Sequence, residues 1–204
     1  MNTIEAIQRR KSTRMFKNGC VNDSILDEIL SAGLQAPSPK NDQPWYFLVL
    51  KNNEKKNEIA NILEEQLNKL QETYKEMGVE RKDIFSGFET VTVIRTAPVL
   101  VFVYLDSDVY EVHDDGVKWE LSARDVECTH IMAVGAAIQN ILLAATEKGV
   151  DSLWIGDFFF AYNEIKTYLG REGCVMAAVA LGYGIETPYK SSRKKVDQAV
   201  TTIL

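Results

Sequence analysis

Four cations and two hydroxyls crowd into Arg9-Arg10-Lys11-Ser12-Thr13-Arg14, at the end of a short helix that the spacing predicts over residues 3–10. Guanidinium forks meet phosphate oxygens through charge-assisted hydrogen bonds of about 1.5–3 kcal/mol each, so this run suits a phosphate. A basic surface patch with no ligand is the competing reading. A second run, Ala36-Pro37-Ser38-Pro39-Lys40-Asn41-Asp42-Gln43-Pro44-Trp45, holds three prolines and is excluded from helix and central strand. A stiff loop that presents Ser38, Asn41 and Gln43 can hydrogen-bond a flat polar heterocycle, and a plain turn before a strand is the alternative. The third run, Ser152-Leu153-Trp154-Ile155-Gly156-Asp157, reads as a buried strand ending on a glycine. A residue without Cβ lets a ligand approach the backbone, where an N–H can meet a ring nitrogen.

Other chemistries lack their residues. There is no G-x-G-x-x-G after a strand, no G-x-x-x-x-G-K-[ST] and no G-x-S-x-G elbow. His113 beside Asp114 and Asp115 reads as a solvated acidic loop rather than a metal site, and His130 as a hydrogen-bonded core or interface residue. Cys128 and His130 are two apart on a helix, so they point in different directions and form no dyad.

The elements that must position these runs follow from periodicity. Ile25, Leu26, Ile29, Leu30 and Leu34 predict a helix over residues 23–34, capped by Asn22 or Asp23. Strands are expected at 45–50, 99–105, 152–155 and 174–181. A long amphipathic helix covers 53–77, a long apolar helix covers 120–148 and ends at Gly149, and a short helix covers 162–169. Residues 80–96 fit neither period, and 106–118 read as an exposed acidic loop. The order predicts helices and strands in two or three layers around a small sheet.

The whole is one domain, residues 1–204, with 46% hydrophobic and 25% charged residues. That composition excludes a disordered, collagen-like or mucin-like chain. Three widely spaced cysteines, Cys20, Cys128 and Cys174, exclude a disulfide scaffold and read as reduced thiols of a cytoplasmic protein. No cationic stretch followed by an apolar run opens the chain, so no secretory signal is expected. The apolar helix carries His130, Gln139 and Asn140, which argues for a buried or interface helix over a membrane span. A net charge of −6 argues against nucleic acid, yet both ends are locally basic. Arg9, Arg10, Lys11, Arg14 and Lys17 face one acid, Glu5, at one end. Lys190, Arg193, Lys194 and Lys195 face one acid, Asp197, at the other.

Together these runs resemble the FMN-dependent nitroreductase family. Arg9 to Phe16 is similar to its R-R-x-S-x-R-x-F signature, and Ala36 to Trp45 to its A-P-S-x-x-N-x-Q-P-W signature. Ala136 to Ala145 with Gly149 to Gly156 is similar to its third block, and the Arg193-Lys194 pair sits where the family carries its last phosphate contact. The resemblance covers essentially the whole chain. It implies an α+β fold of three layers, a small, mostly antiparallel sheet flanked by helices, in an intertwined homodimer with FMN at the subunit interface.

Carried over by residue, the resemblance implies that Arg10, Lys11, Ser12 and Arg14 hold the FMN phosphate and ribityl chain, with Arg193 closing the phosphate site. Pro37, Ser38, Asn41 and Gln43 would touch the isoalloxazine ring from the other subunit. Trp154, Ile155 and Gly156 would line the ring face. Helix 127–146 would form the dimer core, with Gln139 and Asn140 satisfied there. One stretch departs from the pattern. Where relatives place an Asn and a basic residue for the flavin's pyrimidine edge, this chain has Phe88-Glu89-Thr90-Val91-Thr92-Val93. No side-chain acid or base stands out, so catalysis would rest on the flavin. The implied activity is reduction of a small-molecule acceptor, a nitroaromatic or quinone, by NADH or NADPH, with neither nucleic acid nor membrane as partner. Alternatives are a flavin-dependent dehydrogenase, dehalogenase or fragmentation enzyme of the same superfamily, or a non-enzymatic module binding a phosphorylated partner.

Overall fold

A computed structural model describes residues 1–81, 83–106, 123–185 and 192–203. In chain order the elements are α1 (Thr3–Arg9), α2 (Asp23–Leu34), β1 (Trp45–Leu50), α3 (Asn53–Glu76), α4 (Asp83–Thr96), β2 (Val99–Leu105), α5 (Ala123–Glu147), β3 (Asp151–Ile155), α6 (Tyr162–Leu169) and β4 (Cys174–Gly182). Short 3-10 turns lie at Pro39–Asn41, Asp157–Ala161 and Val196–Gln198. Helix starts are set by asparagine side chains that accept orphan backbone N–H groups: Asn2 for α1, Asn22 for α2 and Asn52 for α3. Beyond α5, Gly149 takes φ +72°, the left-handed turn that ends a helix at little steric cost for glycine.

The strands form one sheet in the order β1-β2-β4-β3, and every neighbouring pair is antiparallel. Every residue of β2 is buried, which is why it reads as an unbroken apolar run. Its alternating side chains supply two cores. Leu100, Phe102 and Tyr104 pack with Ile59, Leu63 and Leu67 of α3 and Val91 and Ile94 of α4. Val99, Val101, Val103 and Leu105 pack with Leu26 and Ile29 of α2 and Ala137, Ile138 and Ile141 of α5. Helices therefore cover both faces of the sheet, in the three-layer α+β arrangement expected. A register shift opposite Val103 and Tyr104 resets the phase of β4, so Val175 joins the first core while Ala177 joins the second.

The ambiguous stretch 80–96 folds mainly as α4. Ile84, Gly87, Thr90, Val91, Val93 and Ile94 are all buried, so the helix has no narrow apolar stripe. Its run Thr90-Val91-Thr92-Val93-Ile94 is β-branched throughout, a composition that favours strands when read locally. Burial between α3 and the sheet overrides it. Lys56 of α3 is buried, and its Nζ donates to the carbonyls of Ala97 and Pro98 where α4 passes into β2. Burial pulls the Lys56 pKa below its ordinary value.

α5 is long and apolar enough to cross a membrane by length and composition. Here it packs along α2 and the sheet as the central helix of one core. Ile131 and Met132 on its N-terminal half remain exposed. Asn140, expected to be satisfied at a subunit interface, instead donates to the carbonyl of Ala32 within the chain, at 3.1 Å. Of the loop expected over 106–118, residues 107–118, with His113, Asp114 and Asp115, lie outside the described residues, as do the first residues of the helix expected from 120 and Lys190.

Candidate functional site

The N-terminal basic run leaves α1 as an extended segment on the free edge of β3. Ser12 forms a parallel bridge with Ser152 and Phe16 an antiparallel bridge with Gly184. The Thr13 N–H donates to the Ser152 carbonyl at 3.0 Å, Lys17 N–H to Tyr183 O at 2.7 Å, and Ile185 N–H to Met15 O at 2.9 Å. Asp151 reinforces the junction: one carboxylate oxygen accepts Gly184 N–H at 2.8 Å, and the other lies 3.9 Å from Lys11 Nζ. A Cβ at Gly184 would sit 2.6 Å from Thr13 Cγ2 and 2.8 Å from Asp151 Oδ2, so the close approach requires glycine.

That junction builds a cavity of about 240 Å3 lined by Arg14, Ser86, Glu89, Thr90, Val93, Leu153, Trp154, Ile155, Gly156 and Asp157. β3 supplies an apolar floor, and the N-terminal run and α4 supply a polar wall. Gly156 follows the last paired residue of β3, and a Cβ there would meet no atom within 4 Å, so the backbone lies bare to a ligand. Trp154 is 44% exposed, with its ring edge 3.9 Å from the place a Cβ on Gly135 would take. Arg14 Nε lies 3.9 Å from Glu89 Oε2, and Thr90 donates to Asp157 Oδ2 at 3.4 Å. Both Arg14 and Glu89 side chains are more than half exposed, so their ion pair contributes little stability and leaves them open to a ligand.

Of the residues singled out from sequence, Arg14, Trp154, Ile155 and Gly156 meet at this cavity. Lys11 and Ser12 are held beside it by Asp151 and Ser152. Arg10 caps the end of α1 and does not line it. Nor does Arg193, whose guanidinium donates to the carbonyl of Ser192. The basic ends, expected to converge on one phosphate, are therefore not joined at this cavity in a single chain.

Pro37, Ser38, Asn41 and Gln43 also lie off the cavity. Their loop is unusually tense. Lys40, Asn41 and Gln43 all have positive φ, at +50°, +62° and +49°, a region most side chains avoid. Local bonds hold it: Ser38 Oγ accepts Gln43 N–H at 3.0 Å, and Asp42 Oδ2 lies 3.4 Å from Nε2 of the buried His130 on α5. Backbone of this kind persists only where the surrounding bonds over-determine it.

Sequence reasoning missed Ser86, Glu89, Thr90 and Val93. Their spacing places them on one face of α4, a signal legible only once α4 is known to be a helix.

The model of the Nitroreductase family matches residues 7–183. A Methanothermobacter thermautotrophicus protein, provisionally described as an NADH dehydrogenase/NAD(P)H nitroreductase, is 29% identical over 76% of this chain and 61% of its own length. Iodotyrosine deiodinase of Hydra vulgaris is 32% identical over 69% of this chain and 52% of its own. The chain thus spans between half and two thirds of these curated relatives. Among solved structures, a BluB-like flavoprotein from Clostridium difficile superposes with TM-score 0.82 at 28% identity, covering 100% of this chain and 99% of that one. A nitroreductase with bound FMN from Bacteroides fragilis superposes with TM-score 0.72 at 25% identity, covering 100% and 99%.

Proposed function

As the chain belongs to the nitroreductase family, we propose that it is an FMN-dependent oxidoreductase in which NADH or NADPH is the electron donor and a small molecule the acceptor. The observation that carries the reading is the meeting of Arg14, Trp154, Ile155 and Gly156 at one cavity. The donor set fits a flat heterocycle with one polar edge. Trp154 and Ile155 offer an apolar face, Gly156 a bare backbone, and Arg14 a hydrogen-bond donor. The cavity, about 240 Å3, falls below the roughly 300–1,000 Å3 of complete ligand sites, as expected of one half of an interface site.

In this reading a second copy of the chain supplies the loop with Pro37, Ser38, Asn41 and Gln43. The exposed Ile131 and Met132 of α5 and the strain of that loop support it. Arg10, Lys11, Ser12 and Arg14 would hold the phosphate and ribityl chain, and Arg193, which does not line the cavity within one chain, would close the site only from the second copy. Bound FMN would supply hydride chemistry, and the protein supplies orientation and electrostatics. The free, exposed thiols of Cys20, Cys128 and Cys174 suit a reducing, cytoplasmic setting.

Purified protein is expected to be yellow or to take up FMN, and its absorbance to bleach on addition of NADH or NADPH. A colourless protein that binds no FMN would overturn the reading. Nitroaromatics and quinones are the first acceptors to offer. The deiodinase relative favours a second reading, reductive removal of halogen from an aromatic substrate. Oxidation of the reduced protein by halogenated phenols, but not by nitroaromatics or quinones, would select it.

A further inference from the structure

The loop that carries Ser38, Asn41 and Gln43 fastens mostly to itself. Asn41 N–H donates to Ser38 O at 3.2 Å, Asp42 N–H to Pro39 O at 2.9 Å, Gln43 N–H to Ser38 Oγ at 3.0 Å and Gln43 Nε2 to Asn41 O at 3.5 Å. The buried Ala36 and Pro44 anchor its ends, while Lys40, Asn41, Asp42 and Gln43 are exposed. Among the described residues, one side-chain bond leads from residues 38–43 into the body of the protein. It is the pair of Asp42 Oδ2 with His130 Nε2, 3.4 Å apart and 88 positions apart in the chain. Internal bonds set the curvature of a loop, and only a bond to the scaffold sets its angle. Resting on the FMN reading above, we propose that His130 and Asp42 are positioning residues, which together hold this loop in the shape that meets the cofactor of a second copy.

His130 is suited to that task. It is 4% exposed, so the packing of α5 leaves its ring little freedom to follow the loop. An ionised carboxylate only accepts, so Nε2 donates and Asp42 selects the tautomer. Asp42 stands between Asn41 and Gln43, whose positive φ values give the loop tip a conformation that most side chains avoid. Released from His130, the tip can leave that conformation. The fraction of molecules with a binding-competent loop then falls, and apparent affinity falls by the same factor. His130 also directly precedes Ile131 and Met132, the exposed pair on which a second copy docks in the reading above. The loop tip is thus tied to the helix where the copies meet, as a segment reaching across a subunit boundary requires.

The test compares Asp42→Ala, which removes the acceptor, with Asp42→Asn, whose amide oxygen still accepts from Nε2. FMN binding is read by quenching of flavin fluorescence, and amide hydrogen exchange over residues 38–43 is followed in the FMN-free protein. Asp42→Ala is expected to bind FMN about 10-fold more weakly, the equivalent of one hydrogen bond to a charged group. Its exchange should quicken at 38–43 while α5 and the sheet stay protected. Asp42→Asn should recover most of the affinity and the slow exchange. The Asp42 side chain is 36% exposed, so both variants should fold, and a thermal melt checks it. Unchanged FMN affinity in Asp42→Ala, an equal loss in Asp42→Asn, or exchange that quickens throughout the protein would overturn the positioning role while leaving FMN binding intact. Failure of wild type to bind FMN would instead remove the reading on which the role rests, whatever the exchange of the loop.

Discussion

The N–H of Thr13 donates to the carbonyl of Ser152 at 3.0 Å, and through that bond the basic N-terminal run is laid against the strand that ends at Gly156. The bond sits inside a small clasp. Lys11 reaches toward Asp151, Asp151 accepts from Gly184, and Ile185 donates to Met15. Neither Arg14 nor Gly156 would face the other across a cavity without it. The clasp also covers the open edge of β3, a ladder that would otherwise present unpaired backbone groups.

Gly184→Ala tests the clasp. The added methyl would lie 2.6 Å from Thr13 Cγ2 and 2.8 Å from Asp151 Oδ2, so the N-terminal run must shift off β3. A loss of about 1–3 kcal/mol in urea unfolding is expected, as for other overpacked sites. FMN affinity should fall with it. A variant with unchanged stability would show that the close approach at Gly184 is relaxed in solution.

Lys40→Gly separates loop strain from loop contact. Lys40 has φ +50° and stands outside the residues assigned to the flavin. Glycine relieves a left-handed conformation that costs roughly 1–2 kcal/mol, and offsets that with about 0.5–1 kcal/mol of added freedom in the unfolded chain. Thermal stability should therefore stay level or rise slightly, while the loosened loop binds FMN more weakly. Lower stability with unchanged FMN affinity is the contrary outcome, and it would assign the loop a purely structural role.

Tyr168 predicts a pH dependence. Its hydroxyl donates to Glu58 at 2.5 Å, and that hydrogen bond, the largest cause, holds the phenol pKa up to about 12. The folded value exceeds the unfolded value of 10.0, so the stabilisation is complete below pH 10.0 and is lost as pH rises toward 12. Urea unfolding of wild type and Tyr168→Phe should differ at neutral pH and converge across that range. A difference that stays constant to pH 12 would count against the hydrogen bond.

Much of the architecture was legible in the chain. Continuous apolar runs marked β2 and β4 because helices bury both faces of the sheet there, whereas β1, equally apolar in sequence and expected to be buried, is an edge strand with Tyr46 and Val49 exposed. Asn22 or Asp23 before α2 and Gly149 after α5 marked helix ends, since orphan N–H groups and a left-handed turn have few chemical solutions. The runs Arg9 to Phe16, Ala36 to Trp45 and Ser152 to Asp157 stood out because charge, proline and glycine restrict what a segment can do whatever surrounds it.

Other features required the tertiary structure. α4 was hidden because its β-branched run favours a strand locally, and only burial between α3 and the sheet makes it a helix. With α4 unassigned, Ser86, Glu89 and Thr90 could not be recognised as one face, nor Glu89 placed 3.9 Å from Arg14. That Arg193 does not line the cavity was equally beyond the sequence, since charge clustering along a chain says nothing about where the cations meet in the fold. Local chemistry determined the elements and the reactive segments of this protein. Which of those segments face each other was decided by packing and by the clasp at Ser152, because contacts between residues far apart in the chain leave no period or propensity to read.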